Sequence, residues 1–261
     1  MDFKKWLSLC KKIYQIRGER EKTLFKRMKY AMGRTKWDYE VTQLLSPQSS
    51  YYHVDEVMRS YFYEKAGTYN IPKRKKFIIT STISETIYKG LDLILKTIFL
   101  LEHETTLDFE WRIIGVNSSS SFVKLFEKEN PINRSKIKYL GVLNTEELAA
   151  NLLDSNVYVH PSYIDNSPNS VCEAQLLGIP IIATNVGGIS SLIEHGKTGF
   201  LIPANAPYEL AYHLKNISMH PKESYTIGFN GYLTAQNRHN KNFILKQILN
   251  AYKDIITSHS L

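Results

Sequence analysis

From residue 77 onward, short apolar runs alternate with segments of helical period, which predicts an α/β fold built on a doubly wound parallel sheet. Composition agrees, since 261 residues with 43% hydrophobic and 22% charged side chains suit one large or two small globular domains and argue against disorder. Charge divides the chain at the same place. Residues 1–76 carry 18 basic and 8 acidic side chains, a net of +10, while residues 77–261 carry 15 and 17, a net of −2. The excess behind the overall +8 therefore lies in the first third, which excludes a uniformly basic nucleic-acid binder.

In chain order, Phe3, Trp6, Leu7, Cys10, Ile13 and Tyr14 recur at helical spacing with Lys4, Lys5, Lys11 and Lys12 off that stripe, an amphipathic helix. A strand at Tyr30-Ala-Met, a helix from about Thr35 and a strand at Tyr51-Tyr-His-Val make one βαβ unit, too little for a core of its own. Gly67 to Lys76 reads as a basic linker. Then come a buried strand at Phe77-Ile-Ile-Thr-Ser and a helix from Lys89 to Leu101 with Leu91, Ile94, Leu95 and Ile98 in step. Trp111-Arg-Ile-Ile-Gly is the next strand, followed by a polar helix from about Ser120. Ile137 to Val142 is a strand, and Thr145 to Leu153 a helix with a Thr-Glu-Glu start signal. Val157-Tyr-Val-His, the helix Pro168 to Leu177 and the strand Pro180 to Thr184 repeat the pattern. A short helix around Ile189, a strand at Phe200-Leu-Ile, a helix from about Pro207 and a last helix from Asn240 to Ile256 complete it.

Several classes drop out. Cys10 and Cys172, the two cysteines, are far apart in sequence, so neither a disulfide scaffold nor a cysteine metal site is expected, and a reducing, cytosolic setting fits. The start lacks an apolar leader with a small-residue cleavage site. The most apolar stretch, Leu91 to Leu101, contains Asp92 and Lys96 and falls well short of the roughly 20 residues a bilayer span needs. The eight histidines show no metal spacing and there is no Asp-x-Asp pair, so no metal site is expected.

The strongest constellation is Asp165-Asn-Ser-Pro-Asn-Ser-Val-Cys-Glu173, directly after the strand ending at His160-Pro161. Ser167 suits an N-cap and Pro168 the first helical position. The amides of Asn169 and Ser170 then point out of the helix's positive end at the sheet's carboxyl edge, a site for an anion such as a diphosphate. Glu173 lies one turn after Asn169, about 6 Å deeper on the same face. A carboxylate there can accept two hydrogen bonds from a sugar diol, and Asp165 can hold other hydroxyls across the phosphates. An ordinary capped helix with Glu173 in solvent is the plainer alternative.

Asp165-x7-Glu173 resembles the E-x7-E motif of retaining glycosyltransferases of family 4, the group 1 glycosyl transferases, with Asp in place of the first Glu. His160-Pro-Ser before it, Gly178-Ile-Pro-Ile-Ile-Ala-Thr-Asn-Val-Gly-Gly after it and Glu194-His-Gly-Lys-Thr-Gly-Phe-Leu-Ile-Pro beyond extend the resemblance from about Lys89 to Pro207. It implies that Glu173 binds the nucleotide ribose, that Asp165 contacts the transferred sugar and that Asn169 and Ser170 hold the phosphates. The family's Lys-Gly pair falls at Lys89-Gly90, which implies that Lys89 neutralises the leaving diphosphate. A cation at a helix N-terminus is unfavourable by about 0.3–1 kcal/mol unless an anion is present, and a solvated lysine bent away is the alternative. The family usually has an Arg about six residues earlier, where this chain has Ile83 in Thr80-Ser-Thr-Ile-Ser. Either one cation suffices here, aided by those hydroxyls, or catalysis is weakened. Gly141 matches a place where the family's backbone faces the base, and Gly187-Gly188 resembles its loop beside the donor; tight turns explain both glycine sites equally. Gly196-Lys-Thr198 mimics the end of a P-loop, but the required first glycine would fall at Ser191 and a strand follows, which excludes it.

The resemblance further implies a GT-B type fold, with residues 1–76 a basic remnant of an acceptor-side N-terminal domain plus linker, 77–235 the nucleotide-sugar-binding Rossmann-like domain and 236–261 a C-terminal crossing helix. Most of the acceptor domain is then absent, as in a truncated product, an expressed fragment or one half of a split enzyme. The implied activity is metal-independent transfer, with retention, from a nucleoside-diphosphate sugar such as a UDP or GDP sugar, in bacterial surface-polysaccharide synthesis. No cofactor is expected beyond that donor substrate. Implied partners are a polysaccharide or lipid-linked acceptor, a separate N-terminal acceptor domain and peripheral contact with the inner membrane face, and no nucleic acid. A non-catalytic nucleotide-sugar-binding fragment is the alternative.

Overall fold

The structure, a computed structural model, describes residues 3–259. The side chain of Phe3, first in the expected amphipathic stripe, lies outside the described residues, as does the start scanned for a leader. The chain forms two compact units, Met1–Glu56 with Lys241–Leu261, and Val57–Asn240.

In the first unit, α1 (Phe3–Phe25) runs well beyond the expected stripe. Trp6, Leu7 and Cys10 are half-buried, whereas Ile13 and Tyr14 are exposed. β1 (Tyr30–Gly33), α2 (Lys36–Leu45) and β2 (Ser50–His53) form the expected βαβ unit, with β1 and β2 parallel. Thr35 caps α2 through a reciprocal box: its hydroxyl accepts from the Asp38 amide, and the Asp38 carboxylate accepts from the Thr35 amide.

The second unit opens with α3 (Ser60–Glu64), followed by β3 (Phe77–Thr82), α4 (Leu91–Glu104), β4 (Phe109–Ile114), α5 (Ser121–Glu129), β5 (Ile137–Gly141) and α6 (Thr145–Leu153). Then come β6 (Val157–His160), α7 (Asn169–Leu177), β7 (Ile181–Thr184), β8 (Phe200–Ile202), α8 (Pro207–Met219) and α9 (Pro221–Arg238). The six strands are parallel in the order β5-β4-β3-β6-β7-β8. Residues of β6 and β7 are buried throughout, which is why both read as continuous apolar runs without alternation. From β3 the chain winds outward through β4 and β5, then returns to pair β6 with the other side of β3. That reversal is a topological switch point, and the crevice outside the carboxyl ends of β3 and β6 is where open α/β sheets bind ligands. Finally α10 (Lys241–His259) belongs to the first unit, where Gln247 accepts from the Asp55 amide and Ser258 meets the Tyr30 hydroxyl. Among the described residues no helix is long and apolar enough to cross a membrane.

The units divide at 56/57 and 240/241, whereas the sequence places divisions at 76/77 and 235/236. Burial explains the first difference. Met58, Phe62 and Tyr69 sit in the same core as Cys172, Leu176 and Leu177 of α7. The segment expected as a linker is tied down as well, its Gly67 and Tyr69 amides donating to the carbonyls of Leu176 (2.9 Å) and Leu177 (3.1 Å). A charge count follows surface residues and misses three buried ones. The sequence reading also lacks α9, whose Gly228 and Gly231 lower its helix propensity. There the small residue has a packing role: a Cβ on Gly228 would lie 2.5 Å from the Gly178 carbonyl oxygen.

Candidate functional site

Two loops meet at the switch point. After β3 the chain makes a 3₁₀ turn over Ile87–Lys89 and enters α4 through Gly90, at φ +76°. A Cβ on Gly90 would stand 2.0 Å from the Pro161 carbonyl oxygen, so only glycine lets this turn press against the loop after β6. The Tyr163 amide, donating to the Tyr88 carbonyl at 2.7 Å, fastens the same approach. The result is a direct pair between Lys89 Nζ and Asp165 Oδ2 at 2.7 Å, both side chains mostly buried.

Asp165 is held from several directions. Its Oδ2 also lies 3.1 Å from His160 Nε2, and its Oδ1 accepts from the Asn166 amide. Burial pushes this carboxyl up, but the hydrogen bonds from His160 and Lys89, with the Lys89 charge, outweigh it and hold Asp165 well below the usual carboxylate range. Burial pulls the His160 imidazole down despite its acidic neighbour. A neutral His160 that donates from Nε2 agrees with its Nδ1, which is buried and has no hydrogen-bond partner among the described residues. The Gly187-Gly188 loop packs on the Asp165 main chain, with the Gly188 amide donating to its carbonyl at 3.0 Å. Gly187, at φ +52°, leaves no room there for a Cβ.

α7 begins one residue later than its sequence suggests. Pro168, not Ser167, is the N-cap, with φ −67° and ψ 123°, and its carbonyl accepts from the amides of Val171 and Cys172. The proline ring sets φ without forcing a helical ψ, so the extended ψ defers the helix start. Asn169 and Ser170 form the first turn, as the anion-site reading requires. Beneath that turn the hydroxyl of the fully buried Tyr158 meets Thr82 Oγ1 at 2.6 Å. Burial leads in pushing the Tyr158 hydroxyl up to about 12.

Glu173 is buried at 3% exposure, not solvated. Its partner is a residue that sequence reasoning missed as a site residue. Arg59 Nε and Nη2 donate to Glu173 Oε1 and Oε2, each at 2.7 Å, a side-on bidentate pair. Arg59 Nη1 reaches Thr145 Oγ1 at 3.1 Å, and its guanidinium lies 4.9 Å from the Phe62 ring centroid. The hydrogen bonding to Glu173 leads in raising the Arg59 guanidinium further above its already high value. No local spacing could have announced a contact across 114 residues; the lone Arg ahead of the apolar Phe62 is the faint signal.

Gly141 ends β5 at φ +67°, its amide and carbonyl bonded to Val116 and Gly115, so the turn by itself requires glycine. Ile83, at the place of the family's Arg, is buried at 6% exposure. The structure thus brings Lys89, His160 and Gly187-Gly188 into direct contact with Asp165, while Asn169 and Ser170 open α7, the helix that carries Glu173. Gly141 ends the outermost strand, β5. Among the described residues no cluster of three His, Cys, Asp or Glu side chains has a metal-ligand arrangement.

The family model described as Glycosyl transferases group 1 matches residues 64–240. A relative in Staphylococcus aureus, the capsular polysaccharide biosynthesis glycosyltransferase CapM, is 26% identical over 149 residues, 54% of this chain and 39% of that protein. Among solved structures, sucrose-phosphate synthase from Thermosynechococcus elongatus superposes with a TM-score of 0.73 at 19% identity, covering 91% of this chain and 61% of the other. Anabaena HepE, solved in complex with UDP and glucose, gives 0.67 at 16% identity, covering 85% and 62%. At these identities the structural likeness speaks to the fold, and the matched stretch is less than two thirds of each relative's length.

Proposed function

The chain belongs to the glycosyl transferases group 1 family, and from that premise we propose that it transfers a sugar from a nucleoside-diphosphate sugar to an acceptor hydroxyl. In this reading the transfer retains configuration, needs no metal and serves bacterial surface-polysaccharide synthesis, with a polysaccharide or lipid-linked chain as acceptor. The observation that carries it is the Lys89–Asp165 pair at 2.7 Å, set at the sheet's switch point beside the first turn of α7. An ammonium has three N–H donors, so Lys89 can keep Asp165 and still offer two to a diphosphate. The amides at Asn169 and Ser170 add the positive end of α7. As the bond from the sugar's anomeric carbon to the diphosphate breaks, its electron pair stays on the departing oxygen, which these groups stabilise. The acceptor oxygen bonds to that carbon from the same face and passes its proton to the departing oxygen, while Asp165 faces the positive charge developing on the sugar. Electrostatic stabilisation is the main lever. Glu173 takes the ribose hydroxyls, and the turns at Gly141 and Gly187-Gly188 give the nucleotide room. The capsular relative and the UDP and glucose bound to HepE support the choice of process and donor class.

Lys89→Ala and Glu173→Ala are each expected to weaken calorimetric binding of UDP or GDP at least tenfold. Unchanged affinity in both variants would remove the site assignment. One observation favours a second reading, a nucleotide-sugar binder without turnover: the buried Ile83 supplies no second cation. Product formation from labelled donor, against binding without turnover, separates the two.

A further inference from the structure

Arg59 lies outside the residues that the family model matches, yet it holds the carboxylate assigned to the donor ribose. We propose that Arg59 is a positioning residue for donor nucleoside binding, which acts by fixing Glu173 as a correctly aimed carboxylate between α7 and α6. The inference rests on the donor reading above and deepens it.

Three observations carry it. First, Glu173 is almost wholly buried, and Arg59, with a side chain 45% exposed, is the cation that meets both its oxygens. A buried carboxylate without a cation protonates, and a protonated carboxyl loses acceptor capacity. Second, the fork uses one lone pair on each oxygen of a group with about four acceptor sites. One acceptor site therefore remains on each oxygen, the number a vicinal diol needs. Third, Arg59 is itself fixed. It stacks on the fully buried Phe62 and donates to Thr145, the first residue of α6, just beyond the Gly141 turn. One guanidinium thus ties the carboxylate proposed for the ribose to the loop that the family resemblance puts beside the base.

The other ionisable groups acting on this pair are Glu146, exposed on α6 near Arg59, and Tyr158 beneath Glu173 on β6. Tyr158 is held near 12 and does not titrate around neutrality. The test is calorimetric binding of UDP and GDP by the full chain over pH 5.5–8, for wild type, Arg59→Met, Arg59→Lys and the double variant Arg59→Met with Glu173→Gln, with carboxyl titration of ¹³C-Glu-labelled protein by NMR. Wild type sets the reference profile, which carries the ionisation of the nucleotide's own terminal phosphate at about pH 6. Arg59→Met should bind at least tenfold more weakly at pH 5.5 and recover part of the loss by pH 8, as the unpaired carboxyl ionises. Its Glu173 resonance should titrate in that interval. Arg59→Lys should restore the wild-type profile, and the double variant should lose the pH dependence that Arg59→Met adds. Variant binding equal to or tighter than wild type across the range, or a loss independent of pH, overturns the inference while leaving the donor reading in place. Wild type that binds neither nucleotide overturns the donor reading and this inference with it.

Discussion

Asp165 and Glu173 each depend on a single cation, and their surroundings differ. Asp165 has His160 as a second support, so its charge survives loss of one partner better than that of Glu173, which among the described residues has Arg59 alone on both oxygens. The depressed Asp165 carboxyl makes a prediction about acid stability. An unfolded Asp titrates near 3.9, and the folded group titrates lower, so its ionised form contributes stability above the unfolded value and loses it as pH falls toward the folded one. Thermal melts from roughly pH 5 to pH 2 should therefore fall more steeply for wild type than for Asp165→Asn. Parallel curves would show that the pair contributes nothing to folding. At this scale the sequence put forward Lys89, Asp165 and Glu173 as candidates through a family-like spacing. It was silent on Arg59 and on the role of His160, because a partner's identity depends on which chain segments fold against each other.

Gly90 sets the geometry at the level of elements. It caps α4 in a left-handed conformation and lets the β3–α4 turn touch the loop after β6. Gly90→Ala adds a conformational penalty of about 1–2 kcal/mol and a clash with the Pro161 carbonyl. A loss of at least about 2 kcal/mol in urea denaturation is expected, together with weaker nucleotide binding as Lys89 and Asp165 are pushed apart. Stability loss with unchanged binding would show that the close approach matters for folding only. The alternation of strands and helices was legible because both faces of the sheet are covered, which makes each strand a short apolar run. The start of α7 was legible to within one residue, since Ser167 and Pro168 both suit a helix start and only the backbone angles choose between them.

Charge and packing give different divisions of the whole molecule. The first unit carries 15 basic and 8 acidic side chains, a net of +7, and the second 18 and 17, a net of +1. The basic excess thus includes α10, brought from the far end of the chain. The second unit contains Met58, Phe62 and Tyr69 in its core and Arg59 in its site. A fragment of residues 57–240 is expected to unfold cooperatively and to bind the same nucleotide as the full chain. A fragment of residues 77–240, cut where the charge changes, loses those anchors; a buried Phe alone is worth about 3–5 kcal/mol. Scanning calorimetry of both fragments decides, and equal melting temperatures would refute the packing-based boundary.

By itself the sequence determined the α/β class and the order of the strands along the chain, because periodicity and turn residues are local properties. Only the tertiary structure decided how those strands order in the sheet, where the second unit starts, that Lys89 pairs with Asp165, and that Arg59 holds Glu173. Those facts depend on contacts between residues 76 and 114 positions apart. Such contacts form when buried apolar segments bring distant loops together, and a one-dimensional pattern does not record them.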